Sequence, residues 1–376
     1  MGNPLLALQW SIESINAMMV SDDEPFYDIV DTYVFEIDPC ANQTCAAFLS
    51  YSGYPGSIHY CGDLQSFDSH AANLPLHIPA GAAYRILVLS GTPCKSISRG
   101  CVRNPNRRFF GLHADPSRIW WLAYQGINRL QQDHHQWMFL MVENVVPASV
   151  TDLQELDSTA GFRMEMNVPP EFGAPRRRFI WTSVHFNPGS LPTPNRPFET
   201  PAKLFSLPQG WKYPHSSGLP CVRAIFPFLF WKYATEDTSL SQQDRMVVEQ
   251  CLLWHEQTAS LRLPTISIWG SVMGLHPNLI AILLITHPCI GNLVAHTSTS
   301  TKRAPCGQWA YCDNCSSILT MMGESWHLEV SSHYVYQAMK EFLSQSLEPE
   351  SFYHMFQYTV PVHRCDNLCV MQRTNM

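Results

Sequence analysis

Short apolar runs rich in β-branched and aromatic residues recur through the first half of the chain, separated by stretches whose apolar residues fall at helical spacing. Tyr33–Ile37, Ile58–Cys61, Arg85–Ser90, Trp137–Glu143, Phe162–Met166 and Phe179–Val184 read as strands. Ile119–Gln131 reads as a helix between the third and fourth of them, and Leu5–Trp10 as a helix ahead of them all. Such alternation predicts an α/β domain: a doubly wound, mostly parallel sheet with helices on both faces. Ligands of such sheets sit beyond the carboxyl ends of the strands, so chemistry is expected just after strand ends.

After His185 the pattern breaks. Pro188, Pro192, Pro194, Pro197, Pro201, Pro208, Pro214, Pro220 and Pro227 interrupt any long element up to about Ala234, which marks a small separate module. Ser241–Glu256 is expected as a helix, with Met246, Val247, Cys251 and Leu252 apolar at helical spacing. Residues 257–319 resist assignment: they mix an apolar segment, a Ser/Thr-rich run at His296–Thr301 and a cysteine cluster. Val335–Leu343 reads as a late helix, nothing after Pro349 gives a signal, and there is no internal repeat. The apolar segment Leu279–Ile285 is far shorter than the ~20 residues of a membrane helix, so no membrane span is expected.

Composition adds bounds. With 376 residues, 45% hydrophobic and 15% charged, the chain is globular and long enough to bury a sizeable core. A net charge of −7 argues against non-specific coating of nucleic acid. One stretch runs the other way: Lys95 to Arg108 carries Lys95, Arg99, Arg103, Arg107 and Arg108 without an acid, which suits a loop closing over phosphates. Met1–Trp10 has no secretory pattern, so the 13 cysteines are expected as reduced thiols of an intracellular protein. Cys312-x-x-Cys315 has zinc spacing, but no second close pair accompanies it, and Cys365 and Cys369 are too weak a pair to help. No metal site is assigned from the sequence.

Three tracts carry candidate chemistry. Ser90-Gly91-Thr92-Pro93-Cys94-Lys95-Ser96-Ile97-Ser98 follows a strand directly, and a cysteine on that turn has the exposure a nucleophile needs. Val142-Glu143-Asn144-Val145 ends the next good strand, where a carboxyl group can engage a ring nitrogen. Pro175-Arg176-Arg177-Arg178-Phe179-Ile180-Trp181 begins another; alternation along a strand puts Arg176 and Arg178 on one face and Arg177 on the other. Two guanidiniums on one face suit phosphate or base-oxygen contacts.

Taken together, the order Pro-Cys, Glu-Asn-Val, Arg-x-Arg resembles the catalytic core of the cytosine-C5 methyltransferases. Further blocks resemble that family in sequence order. Phe35-Glu36-Ile37-Asp38 is similar to the motif whose acid holds the ribose hydroxyls of S-adenosylmethionine, and Gly62-Asp63-Leu64 to the block contacting adenine. Ser98 completes a Pro-Cys-x-x-x-Ser nucleophile loop, and Gly323-Glu324-Ser325-Trp326 is similar to the late motif that completes the cofactor pocket. Ser325-Trp326, the strand ending in Trp181, Asn195-Arg196-Pro197, and Gly111-Leu112 followed by Arg118-Ile119-Trp120-Trp121 resemble the de novo eukaryotic branch. The resemblance covers roughly Leu6–Phe198 and Ser239–Phe342.

The resemblance implies a catalytic set of Cys94, Glu143, Arg176 and Arg178. It implies cofactor contacts from Glu36, Ile37, Asp63, Leu64, Pro93, Ser325 and Trp326, and DNA contacts from Lys95, Ser98, Arg99, Arg103, Asn195 and Arg196. It implies DNA as partner, a nuclear location in a eukaryote, and association with itself or another methyltransferase. It divides the chain into a catalytic core at 1–184, a target-recognition module at 185–238, a returning helix at 239–256, an insertion at 257–319, the end of the core at 320–345 and a tail at 346–376. One departure stands out: the family's Phe-x-Gly-x-Gly at the end of a central first strand has no counterpart in these residues, and neither does that strand. A catalytically silent homologue that binds nucleic acid or a partner methyltransferase, and a transfer-RNA methyltransferase, stand beside the DNA enzyme as readings.

Overall fold

Two segments, Tyr84–Gly91 (β3) and Met138–Val145 (β4), are apolar at nearly every position and buried on both faces, as the interior strands of a covered sheet must be. In the computed structural model, residues 3–18, 26–73, 84–91, 96–98, 111–114, 117, 120–134, 137–169, 172–191, 209–212, 219–223, 226–296, 301–323, 325–345 and 366–374 are described. These two strands lie at the middle of a seven-stranded sheet of order β2-β1-β12-β3-β4-β6-β5. The other members are Phe26–Phe35 (β1), Ser57–Tyr60 (β2), Phe162–Val168 (β5), Arg176–Thr182 (β6) and Asp366–Thr374 (β12).

The protein is thus mixed α/β, and the sheet is mixed rather than mostly parallel. β1 and β2 are parallel, as are β3 and β4, but β12 runs antiparallel to both β1 and β3, and β6 runs antiparallel to β4. The tail that gave no signal in the sequence therefore supplies a central strand. Because β12 opposes both neighbours, β1 and β3 point the same way. Phe35, Asp366, Ser90, Val142 and Trp181 lie level across the sheet. The carboxyl ends of β1 to β4 consequently open on a single edge.

Alternation along the strands builds the core. Tyr33, Phe35, Ile86, Val88, Leu140, Val142, Phe179 and Trp181 form one cluster with Phe67 of the helix Phe67–Asn73, Trp120, Tyr124 and Ile127 of a helix at Trp120–His134, and Leu156 of one at Val150–Ala160. The intervening residues Leu87, Leu89, Phe139, Met141 and Ile180 are buried too, and Phe139 packs on Phe342 of the helix Leu328–Gln345. Burying a side chain of this size contributes roughly 1.5–3 kcal/mol. The N-terminal segment is a helix, Asn3–Met18, as its sequence implies.

Contacts divide the chain into two units. The sheet belongs to the unit formed by Pro4–Asn167, Arg177–Leu191 and Ser332–Met376. The other comprises Met1–Asn3, Val168–Arg176 and Pro192–Ser331. It holds five helices among its described residues (Phe226–Ala234, Gln242–Glu249, Ile266–Val272, Pro277–Thr286 and Asp313–Gly323), a small sheet of Trp211–Lys212 (β7), Leu253–His255 (β8) and Ser260–Arg262 (β9), and a hairpin of Asn292–His296 (β10) and Thr301–Pro305 (β11). Phe226, Phe230, Trp269 and Tyr311 pack at its centre, with the Trp269 indole donating to the Tyr311 hydroxyl at 2.9 Å. The helix expected over Ser241–Glu256 ends at Glu249. Leu252, Leu253 and Trp254 are consecutive apolar residues, a pattern that suits a strand, and Leu253–His255 pairs with Ser260–Arg262 instead.

A candidate active site at the carboxyl edge of the sheet

The edge is built from strand register. Gly91, the last residue of β3, lies opposite Glu143 on β4. The chain leaves β3 through Thr92–Lys95, which lie outside the described residues, and resumes at Ser96, whose side chain is buried and donates to the Ala114 carbonyl at 3.0 Å. Ile97 accepts from the Ala148 backbone at 2.8 Å, and Ser98 bridges to Pro147, so the loop after β3 is fastened to the loop after β4. The far end of the basic loop is held as well. Asp152, at the start of the helix Val150–Ala160, accepts from the Leu112 backbone at 2.9 Å, and burial pushes its carboxyl pKa up. Gly111 lies beside it with φ of 98°, where a Cβ would meet that carboxylate at 3.0 Å.

Glu143 and Arg178 form the charged centre of this edge. Val145 faces Arg178 and Glu143 faces Ile180, so the two side chains are diagonal neighbours on one face of the β4–β6 pair. Arg178 Nε lies 2.8 Å from Glu143 Oε1, with side chains only 15% and 8% exposed. A pair this sheltered holds its geometry, and removing one partner leaves the other charge poorly solvated. Arg177 points outward, as alternation implies, and pairs with Glu165 at 2.6 Å. Arg176 opens the same strand. Its buried guanidinium donates to the Ser325 carbonyl, which makes it a support for that backbone.

Beside these, β1 and β2 end next to each other, and the Cys61 backbone donates to the Val34 carbonyl at 2.8 Å. Glu36 follows β1 and accepts from the Asp38 backbone at 3.0 Å; Ile37 is exposed. Asp63 follows β2 and caps the short helical turn Leu64–Ser66, accepting from the Gln65 backbone at 2.9 Å, while Leu64 is buried. The structure thus brings Glu36, Asp63, Ser98, Glu143 and Arg178 to one edge of one sheet. Ser325 and Trp326 belong to the other unit. There Asn3 donates to the Trp326 carbonyl at 2.8 Å, and the Ser325 hydroxyl donates to the Met321 carbonyl at 3.1 Å. Pro93, Cys94, Lys95, Arg99, Arg103, Asn195 and Arg196 lie outside the described residues.

Two features escaped the sequence reading. Asp152 gave no signal, because a lone acid in the first turn of a helix reads as a dipole partner rather than as an anchor for a loop 40 residues away. The second is a cluster: where the sequence shows only Cys312-x-x-Cys315 without a second close pair, the structure sets Cys289 and Cys306 beside them, and the four sulfurs are all within 4.8 Å of one another. Among the described residues no helix is long and apolar enough to cross a membrane. No protein-family model matches the sequence, and no curated protein matches it either.

Proposed function

We propose that this edge is the active site of a cytosine-C5 methyltransferase acting on DNA, with Cys94 as nucleophile, Glu143 engaging the base and Arg178 holding Glu143 in place. The observation that carries the reading is the sheltered Glu143–Arg178 pair, set opposite the end of the strand that leads into Pro93-Cys94. The order of strands and the shared carboxyl edge of β1 to β4 support the Rossmann-like, doubly wound arrangement that the reading requires.

S-adenosylmethionine fits in part. Glu36 and Asp63 leave adjacent parallel strands, which suits a ribose and an adenine. At the methionine end the match stops, because the position between β1 and β3 belongs to β12, whose first residue Asp366 stands level with Phe35 and Ser90 where a glycine turn is expected. When bound, the cofactor would supply the methyl group. The chain's own residues do the rest. The Cys94 thiolate adds to C6 of an extruded cytosine as N3 takes up a proton that Glu143 holds there by a hydrogen bond; once C5 carries the methyl group, loss of the C5 proton to a water molecule acting as base re-forms the C5–C6 double bond and expels the Cys94 thiolate. Extruding the base costs a few kcal/mol.

A DNA duplex carrying 5-fluorocytosine tests this directly, because fluorine cannot leave C5 as a proton does. With S-adenosylmethionine present, the wild-type chain should form a denaturation-resistant adduct, Cys94→Ser should lose it and Cys101→Ser should keep it. An adduct that survives Cys94→Ser overturns the assignment. The antiparallel β12 favours a second reading, a silent homologue that binds nucleic acid. Calorimetric titration separates the two: DNA binding with no S-adenosylmethionine binding, unchanged by Glu36→Ala, selects the silent homologue.

A further inference from the structure

We infer that Cys289, Cys306, Cys312 and Cys315 form a structural zinc site, independent of the methyltransferase reading. Their four sulfurs lie within 4.8 Å of one another. Tetrahedral coordination at the usual Zn–S distance of ~2.3 Å places sulfurs about 3.8 Å apart, and Cys312 Sγ lies 3.9 Å from Cys289 Sγ. A disulfide would need ~2.05 Å. All four are free thiols in the structure.

The backbone around them is arranged for thiolates. Cys289 and Cys306 flank the two ends of the β10–β11 hairpin, where the Cys306 backbone donates to the Gly291 carbonyl at 2.7 Å. Each is followed closely by a glycine in the left-handed region, Gly291 at φ 87° and Gly307 at φ 86°, so the chain turns back over the sulfur. The Gly291 N–H points at Cys289 Sγ from 3.4 Å, and the Cys312 N–H at Cys306 Sγ from 3.1 Å. Such outer hydrogen bonds orient and stabilise metal-bound ligands. Cys312 and Cys315 sit at the start of the helix Asp313–Gly323, whose N-terminal N–H groups favour negative charge. Four soft thiolates select zinc over hard cations, and with no open position the site is structural rather than catalytic.

The site ties the hairpin to a helix whose other end runs into Ser325 and Trp326. Zinc there fixes the start of the segment that Arg176 and Asn3 hold at its finish.

The full chain, produced in medium supplied with zinc and iron and purified without chelator, should carry one zinc ion by elemental analysis. A thiol reagent should find these four cysteines protected until a mercurial releases the metal. Cys289→Ser and Cys306→Ser should lose the zinc and unfold at lower temperature, while Cys40→Ser, which removes an exposed thiol of the other unit, should keep it. If the serine variants do not fold, the metal content of the wild-type chain still decides. A folded wild-type chain that carries no zinc, carries iron instead, or has these cysteines in disulfides overturns the inference.

Discussion

At the scale of single residues, Glu143 and Arg178 should be separable by experiment. Glu143→Gln keeps size and an oxygen that still accepts from Arg178 but removes the charge, so methyl transfer should fall by roughly 10²–10⁴-fold, as for an acid–base group, with a smaller loss of stability than Arg178→Ala brings. Arg178→Ala strands a carboxylate only 8% exposed, so activity and thermal stability should both fall. Equal stability loss in the two variants would undo that division. His327 offers a second test through pH. It is buried, donates from Nε2 to the Phe172 carbonyl at 2.8 Å and accepts at Nδ1 from the Val330 backbone at 3.4 Å, so the neutral ring is satisfied at both nitrogens. Burial, with Arg176 adding to it, lowers its pKa to about 4, against ~6.5 in an unfolded chain. The unfolded state therefore binds the proton first on acidification. Stability from this group is fully present above pH ~6.5 and is lost as pH falls through about 4, by up to about 3 kcal/mol. His327→Gln should flatten the dependence of urea unfolding on pH between 7 and 5; a slope as steep as wild type would assign the effect elsewhere.

At the scale of elements, β12 is the test of the fold. It pairs with β1 along Phe26–Phe35 and with β3 along Tyr84–Ser90, so deleting residues 366–374 exposes two strand edges in the middle of a sheet. The deleted chain should aggregate or unfold at lower temperature, read by sedimentation and thermal melts. Val370→Pro, which removes one donor opposite Asp31 and Ile86, should move the melting point the same way. An unchanged melting point in both would place β12 outside the working fold. Six strands of the first half were legible in position because each is a short apolar run closed by a break in pattern, although β1 starts at Phe26, seven residues ahead of the expected Tyr33, and ends at Phe35 rather than Ile37. β12 was not: Asp-Asn-Leu-Cys-Val-Met-Gln-Arg-Thr is polar at both ends, and what makes it a strand is a pair of neighbours far away in sequence. β8 is hidden for a related reason, since Met246, Val247, Cys251 and Leu252 read at helical spacing and only pairing with Ser260–Arg262 stops the helix. At the candidate site, Glu143 and Arg178 were legible because strand alternation dictates their side. The contact Arg176 makes with the Ser325 carbonyl was not legible, because alternation says which face a residue takes and nothing about the carbonyl it will find there. Cys289 stands 17 residues before Cys306, and only the hairpin between them brings the two together.

At the scale of the whole molecule, the order in which the sheet can be assembled follows from where β12 lies. Its residues are synthesised roughly 275 positions after the end of β3, so during translation β1 to β4 emerge long before the strand that joins the two parallel pairs. Closing such distant pairings is slow, because loop entropy is lost before the contacts repay it. Until then the nascent chain carries a vacancy one strand wide, bordered by the unpaired edges of β1 and β3. Edges of that kind are templates for intermolecular pairing. Until β12 has emerged the chain should therefore be prone to aggregation, and its yield should be limited by how that interval is survived rather than by the stability of the finished sheet.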